Sequence, residues 1–330
     1  MAVAGDARRI FTLIRKGVDT RAIGAHVRKP FRFLLCGDPA LIAELRALLL
    51  SGHDESVPPE AAACLETIAP SAPLVTNPHE VRAAIFLGRP GDVAGADFSA
   101  LSVLRVPILA LTVDPTAQPS GPPSPPSGGE SSEYVVSGIT REALRARFFP
   151  HLVECSAGVE IAVGRNLPML RDTVAAKLTR DSANTALKVA LASAVVDHIP
   201  LVGIVLGAFV SAGDMVAITG IQVMLMLHIE ATYGRDPDMQ RAWQLLPVIG
   251  GGFGWRALAR ELAGFVPIAG IPIKGAIAYA GTIVVGEGVT FLHEHGHAMT
   301  KGQAAALYEH TKKDALRFAR DIVAKLRKPQ

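Results

Sequence analysis

At 330 residues the chain is long enough for two domains and at least one large core. Apolar residues make up 49% and charged residues 19%, and the mean hydropathy of +0.31 points to unusually deep burial or to contact with lipid. Three widely spaced cysteines, Cys36, Cys64 and Cys155, argue against a disulfide framework or a zinc knuckle and fit a reducing compartment.

The net charge of +3 is unevenly placed. Residues 1–30 carry seven Lys or Arg against Asp6 and Asp19, with no apolar run of signal-peptide length, and read as a basic helical segment. Residues 301–330 carry eight against Glu309, Asp314 and Asp321. Two basic ends favour anionic lipid headgroups or nucleic acid, or are simply solvated helix faces. Nucleic acid is disfavoured, because aromatics are sparse and no known binding signature occurs.

The stretch "FRFLLCGDPALIAELRALLL" (31–50) reads as a strand, a Gly-Asp-Pro turn and a helix, and strand-like runs recur at 83–88, 106–113 and 134–139. This rhythm favours a parallel α/β sheet over residues 31–155. The first strand-turn-helix stands where a phosphate-binding P-loop would. Counted from Gly37, the places of the second Gly, the Lys and the Ser/Thr hydroxyl are held by Ile42, Ala43 and Glu44, so the loop is degenerate and should repel a triphosphate. Asp114 in "LTVD" is all that survives of a guanine-reading motif. The expectation is a degenerate P-loop GTPase-like sheet with no cofactor; an unrelated small α/β domain stays open. Residues 115–133, rich in Pro, Gly and Ser, read as a flexible loop within it.

Residues 156–330 read as an all-α, glycine-rich apolar domain. The runs 199–213, 215–227 and 275–286 carry no charge, and the Gly213-Asp214 break suggests a helical hairpin. A straight spanning helix needs about 20 apolar residues, more than the first run supplies. Gly203, Gly207, Gly213, Gly270, Gly275 and Gly281 are candidates for close helix packing, in a membrane or in a very apolar soluble bundle. Ionisable residues lie near these runs: Asp197, His198, Asp214, Glu230, Lys274 and the candidate interaction set Arg256, Arg260 and Glu261.

"FLHEHGHAMT" (291–300) holds His293-Glu294-x-x-His297, the spacing of zinc metalloproteases, with Glu309 as a possible third ligand. Against this, Gly296 suits a left-handed helix C-cap, and Thr300-Lys301-Gly302-Gln303 reads as a capping box that opens a new helix over 301–327. His297 would then leave the helical face of His293. The motif reads as a helix end, with weak metal candidacy.

The order of segments "NLPMLRDTVAAKLTRDSANTALKVALAS", "IPLVG", "ITGIQVMLMLHIEATYG" and "LLPVIGGGFGWRALARELAGFVPIAGIPIKGAIAYAGTIVVGEG" resembles the bacterial domain-of-unknown-function 697, or YcjF-like, family over about residues 160–325. The positions that carry it are Asn184, Gln222, Tyr233-Gly234, Arg256, Arg260-Glu261, Pro267, Gly270, Tyr279 and Thr282. The resemblance implies a membrane-associated protein that accompanies a GTPase domain, degenerate in some branches, with no established enzymatic activity. It therefore implies a non-enzymatic scaffold or adaptor at the cytoplasmic face of the bacterial inner membrane, peripheral or with hairpins inserted. Anionic lipid and a protein, with a GTPase as a candidate, are the expected partners; oligomerisation stays open. A zinc protease and an unorthodox GTPase are the alternatives.

Overall fold

The computed structural model describes residues 18, 20–53, 56–69, 77–96, 98–117, 131–192, 214–249 and 271–326. The apolar run 199–213 with Gly203, Gly207 and Gly213, and the positions Arg256, Arg260, Glu261, Pro267 and Gly270, lie outside the described residues. The chain divides into two compact units, residues 25–174 and residues 1–24 with 175–330. The α/β unit thus continues past residue 155 to Val174.

After helix α1 (Thr20–Val27), the chain alternates strands and helices: β1 (Arg32–Gly37), α2 (Pro39–Leu50), α3 (Pro59–Ala63), β2 (Leu65–Thr67) and β3 (Val81–Gly88). There follow α4 (Asp92–Gly95), α5 (Ser99–Ser102), β4 (Ile108–Val113), β5 (Ser131–Val136), α6 (Arg141–Arg145), α7 (Phe148–Glu154) and α8 (Glu160–Asn166). The strands form one parallel sheet in the order β2-β1-β3-β4-β5. Phe33, Leu34, Leu35 and Cys36 on β1, and Ala83, Ala84, Ile85 and Leu87 on β3, are fully buried. Continuous apolar runs of this kind mark strands covered on both faces.

Two local readings needed the structure. β2 is three residues long, Leu-Glu-Thr, and its sequence gives no apolar run to find it by. Arg46 of α2 holds it in place, donating to the carbonyls of Leu65 and, at 2.8 Å, Ala62. The second correction concerns the expected 115–133 loop, whose tail Ser131-Ser132-Glu133 belongs to β5. Pairing of these residues with Ile108, Leu109 and Ala110, and a 3.0 Å hydrogen bond from the Thr112 hydroxyl to Glu133, override their loop-like composition.

The helical unit comprises most of α9 (Arg171–Ala192), with α10 (Asp214–Thr232), α11 (Met239–Ile249), α12 (Ile271–His295) and α13 (Lys301–Leu326). α10 and α12 are apolar on nearly every side and are largely buried, as expected for helices enclosed by others. Gln222 donates to Thr282 at 3.3 Å between them, and Glu230 meets His293 further along both, so the two helices run parallel. α9 runs the other way: Gly275 of α12 lies against Leu187 and Leu191, and Gly286 against Thr179. Gly281 is half-buried on the same helix. The stretch Ile273–His295 is long and apolar enough to cross a membrane, and 72% of its most apolar window is buried inside the protein.

The two contact glycines differ in what surrounds them. A Cβ at Gly286 would stand 2.1 Å from the Thr179 hydroxyl oxygen, whose branched side chain is stiff, whereas at Gly275 it would meet the movable ends of Leu187 and Leu191. Gly286→Ala should therefore lower the thermal midpoint clearly, at a cost of about 1–3 kcal/mol, and Gly275→Ala should cost less. Circular-dichroism melts of both variants check the order.

Candidate functional site

In a doubly wound sheet, ligands bind beyond the carboxyl ends of the strands where the strand order reverses. Here that place lies between β1 and β3. Gly37 ends β1 with φ +112°, and a Cβ there would stand 1.9 Å from the Leu87 carbonyl oxygen. The Asp38 amide then donates to that carbonyl at 2.8 Å. Asp38 caps α2, its carboxylate accepting from the amides of Ala40 at 2.8 Å and Leu41 at 3.4 Å, while Pro39 has no N–H to offer. Arg89, at the end of β3, brings its Nε within 3.6 Å of the same carboxylate. The Ala40 amide chiefly, then the Leu41 amide and Arg89, hold the Asp38 carboxyl below the usual aspartate range.

The chain therefore turns from strand to helix through a single residue. Ile42, Ala43 and Glu44 are helical, Ile42 buried in the core and Ala43 and Glu44 exposed, so no loop of free amides surrounds a phosphate. The amides that would do so are satisfied by a carboxylate of the chain itself. Asp114 is likewise engaged: it accepts from the Thr116 amide at 2.9 Å and hydroxyl at 2.6 Å, and these hold its carboxyl below the usual range. Burial pushes the thiols of Cys36, Cys64 and Cys155 each up to about 11, so none is a ready thiolate at neutral pH.

At the amino ends of the strands, a cleft of about 470 Å³ has a lining that includes the charged residues Arg28, Lys29, Arg32, Glu60 and Glu80. Arg32 is tied to Glu66 at 3.1 Å and to Glu80 at 3.0 Å, and Lys29 donates to the Gly158 carbonyl. These amino ends are opposite to the carboxyl ends, where such sheets take their ligands.

In the helical unit, α12 ends at His295. Gly296 follows with φ +73° and donates to the Leu292 carbonyl, and Thr300 and Gln303 form a reciprocal capping box at the start of α13. His297 lies beyond the helix and does not share a helical face with His293. Instead His295 stacks on Phe291 at 4.0 Å, with His297 edge-on to the same ring. Glu294 and Glu309 are exposed. Among the described residues, no group of three or more His, Cys, Asp or Glu is placed to hold a metal ion.

His293 has a different partner. Its Nε2 lies 2.7 Å from Glu230 Oε1, and the Tyr233 ring stacks on its imidazole at 4.5 Å. Arg241 of α11 brings its Nε to 2.8 Å from Glu230 Oε2, and Arg235 lies at 4.0 Å. Glu230 is only 2% exposed. The chain shapes this corner through Gly234, at φ +87°: its amide donates to Ala231, and that of Arg235 to the Glu230 carbonyl, the paired bonds of a Schellman ending. One carboxylate thus joins three helices. A carboxylate this enclosed serves as a joint and offers no approach to a substrate. Glu230 stands out in sequence as an acid closing a charge-free run, but its partner His293 lies too far along the chain to be read.

The chain was compared with protein-family models, curated proteins and solved structures, and none of the three comparisons found a match.

Two outcomes follow from these contacts. Glu230→Ala should destabilise the helical unit by about 3 kcal/mol, the lower end for a broken buried pair because Arg241 keeps access to water. A double-mutant cycle with His293→Ala in chemical denaturation should show strong coupling. Asp38, with its lowered carboxyl pKa, contributes stability above the usual aspartate range of roughly 4 and loses it as pH falls through its folded value. The melting difference between the native protein and Asp38→Ala should accordingly be present at pH 7 and close in acid.

Proposed function

We propose that the chain is a non-enzymatic, membrane-associated scaffold or adaptor, acting at the cytoplasmic face of the bacterial inner membrane and related to the YcjF-like family. In this reading its α/β unit is a degenerate GTPase-like domain. The observation that carries the non-enzymatic part is Asp38: its carboxylate takes the helix N-terminus that a nucleotide phosphate would need. A triphosphate entering there would displace a bonded carboxylate and then be repelled by it. The parallel sheet is consistent with this reading, in which the α/β unit docks a protein, for which a functional GTPase is a candidate.

The membrane part is supported by composition and packing. The helical unit combines charge-free runs with glycines that bring helices into close approach at Gly275 and Gly286, a mode of packing favoured in lipid. The basic chain ends suit an anionic surface. His293 faces Glu230 and His297 lies off the helix, an arrangement that favours the scaffold over a zinc protease.

Fractionation of cells expressing the full chain, followed by salt and alkaline-carbonate washes, tests the location. The protein is expected with the membranes, and a wholly soluble protein would sink the membrane reading. Titration calorimetry with GTP and ATP is expected to be flat; saturable nucleotide heat would overturn the non-enzymatic one.

A further inference from the structure

The turn between α12 and α13 carries two histidines that the joint at Glu230 does not use. His295 is the last residue of α12, and His297 lies beyond it in the short segment that leads to α13; both are exposed. Phe291, one helical turn before His295, gathers the two rings. His295 stacks on it at 4.0 Å, and His297 meets its edge at 5.4 Å.

Each imidazole also has its tautomer set by a carbonyl. His295 Nδ1 lies 3.1 Å from the Phe291 carbonyl oxygen, and His297 Nδ1 lies 3.2 Å from that of Ala298. A carbonyl oxygen only accepts, so each Nδ1 carries a hydrogen and the neutral ring keeps its lone pair on Nε2. Donation of one ring N–H to a backbone carbonyl is the usual support of a metal-binding histidine, because it fixes the tautomer and raises the basicity of the other nitrogen. His293 does not serve in this way, since its Nε2 is taken by Glu230.

The ring centres of His295 and His297 stand 6.1 Å apart. An ion bonded to Nε2 at about 2.0–2.1 Å lies roughly 3.2 Å from the ring centre, so one ion reaches two rings up to about 6.4 Å apart.

We infer that His295 and His297 form a two-histidine site for a divalent transition-metal ion, with Nε2 of each as ligand and water completing the coordination. Imidazole nitrogens suit Zn²⁺, Ni²⁺ and Cu²⁺, with Cu²⁺ the tightest, whereas Mg²⁺ and Ca²⁺ take oxygen ligands. The pair is distinct from the protease spacing, which would use His293 and His297. A bound ion ties the end of α12 to the segment before α13, and so clamps the turn between the two helices. With two protein ligands the site is open and its affinity modest. The inference stands apart from the membrane reading.

The experiment uses the full-length chain, prepared without a histidine tag and stripped with chelator, in calorimetric titrations with zinc, copper and magnesium chlorides. The native protein should bind one equivalent of Zn²⁺ and bind Cu²⁺ more tightly, with no heat from Mg²⁺. His295→Ala and His297→Ala should each weaken Zn²⁺ binding roughly tenfold or more, since even the loss of a ligand's outer partner costs about 10–100-fold. His310→Ala, which removes an exposed histidine beside Asp314, should leave it unchanged. Zn²⁺ should also raise the melting temperature of the native chain, and not that of the double variant His295→Ala/His297→Ala. Melting curves without metal verify that each variant is folded. Absence of heat from both Zn²⁺ and Cu²⁺ would overturn the inference. So would binding that survives in the double variant, which would mark an adventitious ion held by histidines elsewhere.

Discussion

The N-terminus of a helix presents amides that lack an intrahelical acceptor, and at the start of α2 an acceptor is built into the chain as Asp38. Much of the unit's chemistry follows from this. For the carboxylate to reach the Ala40 amide, the chain must leave β1 sharply, and only glycine fits at residue 37 under the Leu87 carbonyl. Pro39 starts the helix at once and removes an amide that would otherwise be left over. Arg89 then meets the carboxylate from β3. The Asp38 carboxylate thus stands over the start of α2 at the point where the strand order β2-β1-β3-β4-β5 reverses.

The helical unit obeys the opposite constraint. With few charges on α10 and α12, the arrangement of these helices depends on the polar groups that do become buried. Apolar helices can slide along one another at little cost, because one aliphatic contact resembles the next. Gln222 with Thr282 near mid-helix, and Glu230 with His293 and Arg241 near the helix ends, are contacts that a slipped arrangement would leave unsatisfied. They fix α10 and α12 as parallel neighbours and bring α11 to the same corner. Close packing at Gly275 and Gly286 then sets how near α9 can come.

What was legible in the sequence was local. The Gly-Asp-Pro turn, the apolar strands, the Gly296 helix end and the Thr300 capping box are each governed by residues within a few positions, and each is visible as a pattern. β2 was not legible, because a three-residue Leu-Glu-Thr strand exists only through β1 and Arg46. Nor was the start of β5 in a Ser-rich tail, which depends on pairing with β4. The His293 motif shows the limit most clearly. Its spacing suggests a partner four residues on, yet the imidazole is satisfied by a carboxylate 63 residues earlier. Residue spacing states what a helix could align, and tertiary packing decides which groups meet.

The same limit bears on hydropathy. Ile273–His295 has the length and composition of a spanning helix, but composition cannot say what surrounds it. α13 packs against it and carries Lys312, Lys313, Asp314 and Arg317 in its own middle. Setting α12 across a bilayer with α13 attached would carry those groups towards hydrocarbon, at about 2.5–3.5 kcal/mol each on insertion scales. Burial of 72% of the apolar window within the unit already removes most of that surface from water, so little driving force remains to offset the cost. The hydrophobicity of α12 is spent on its own core.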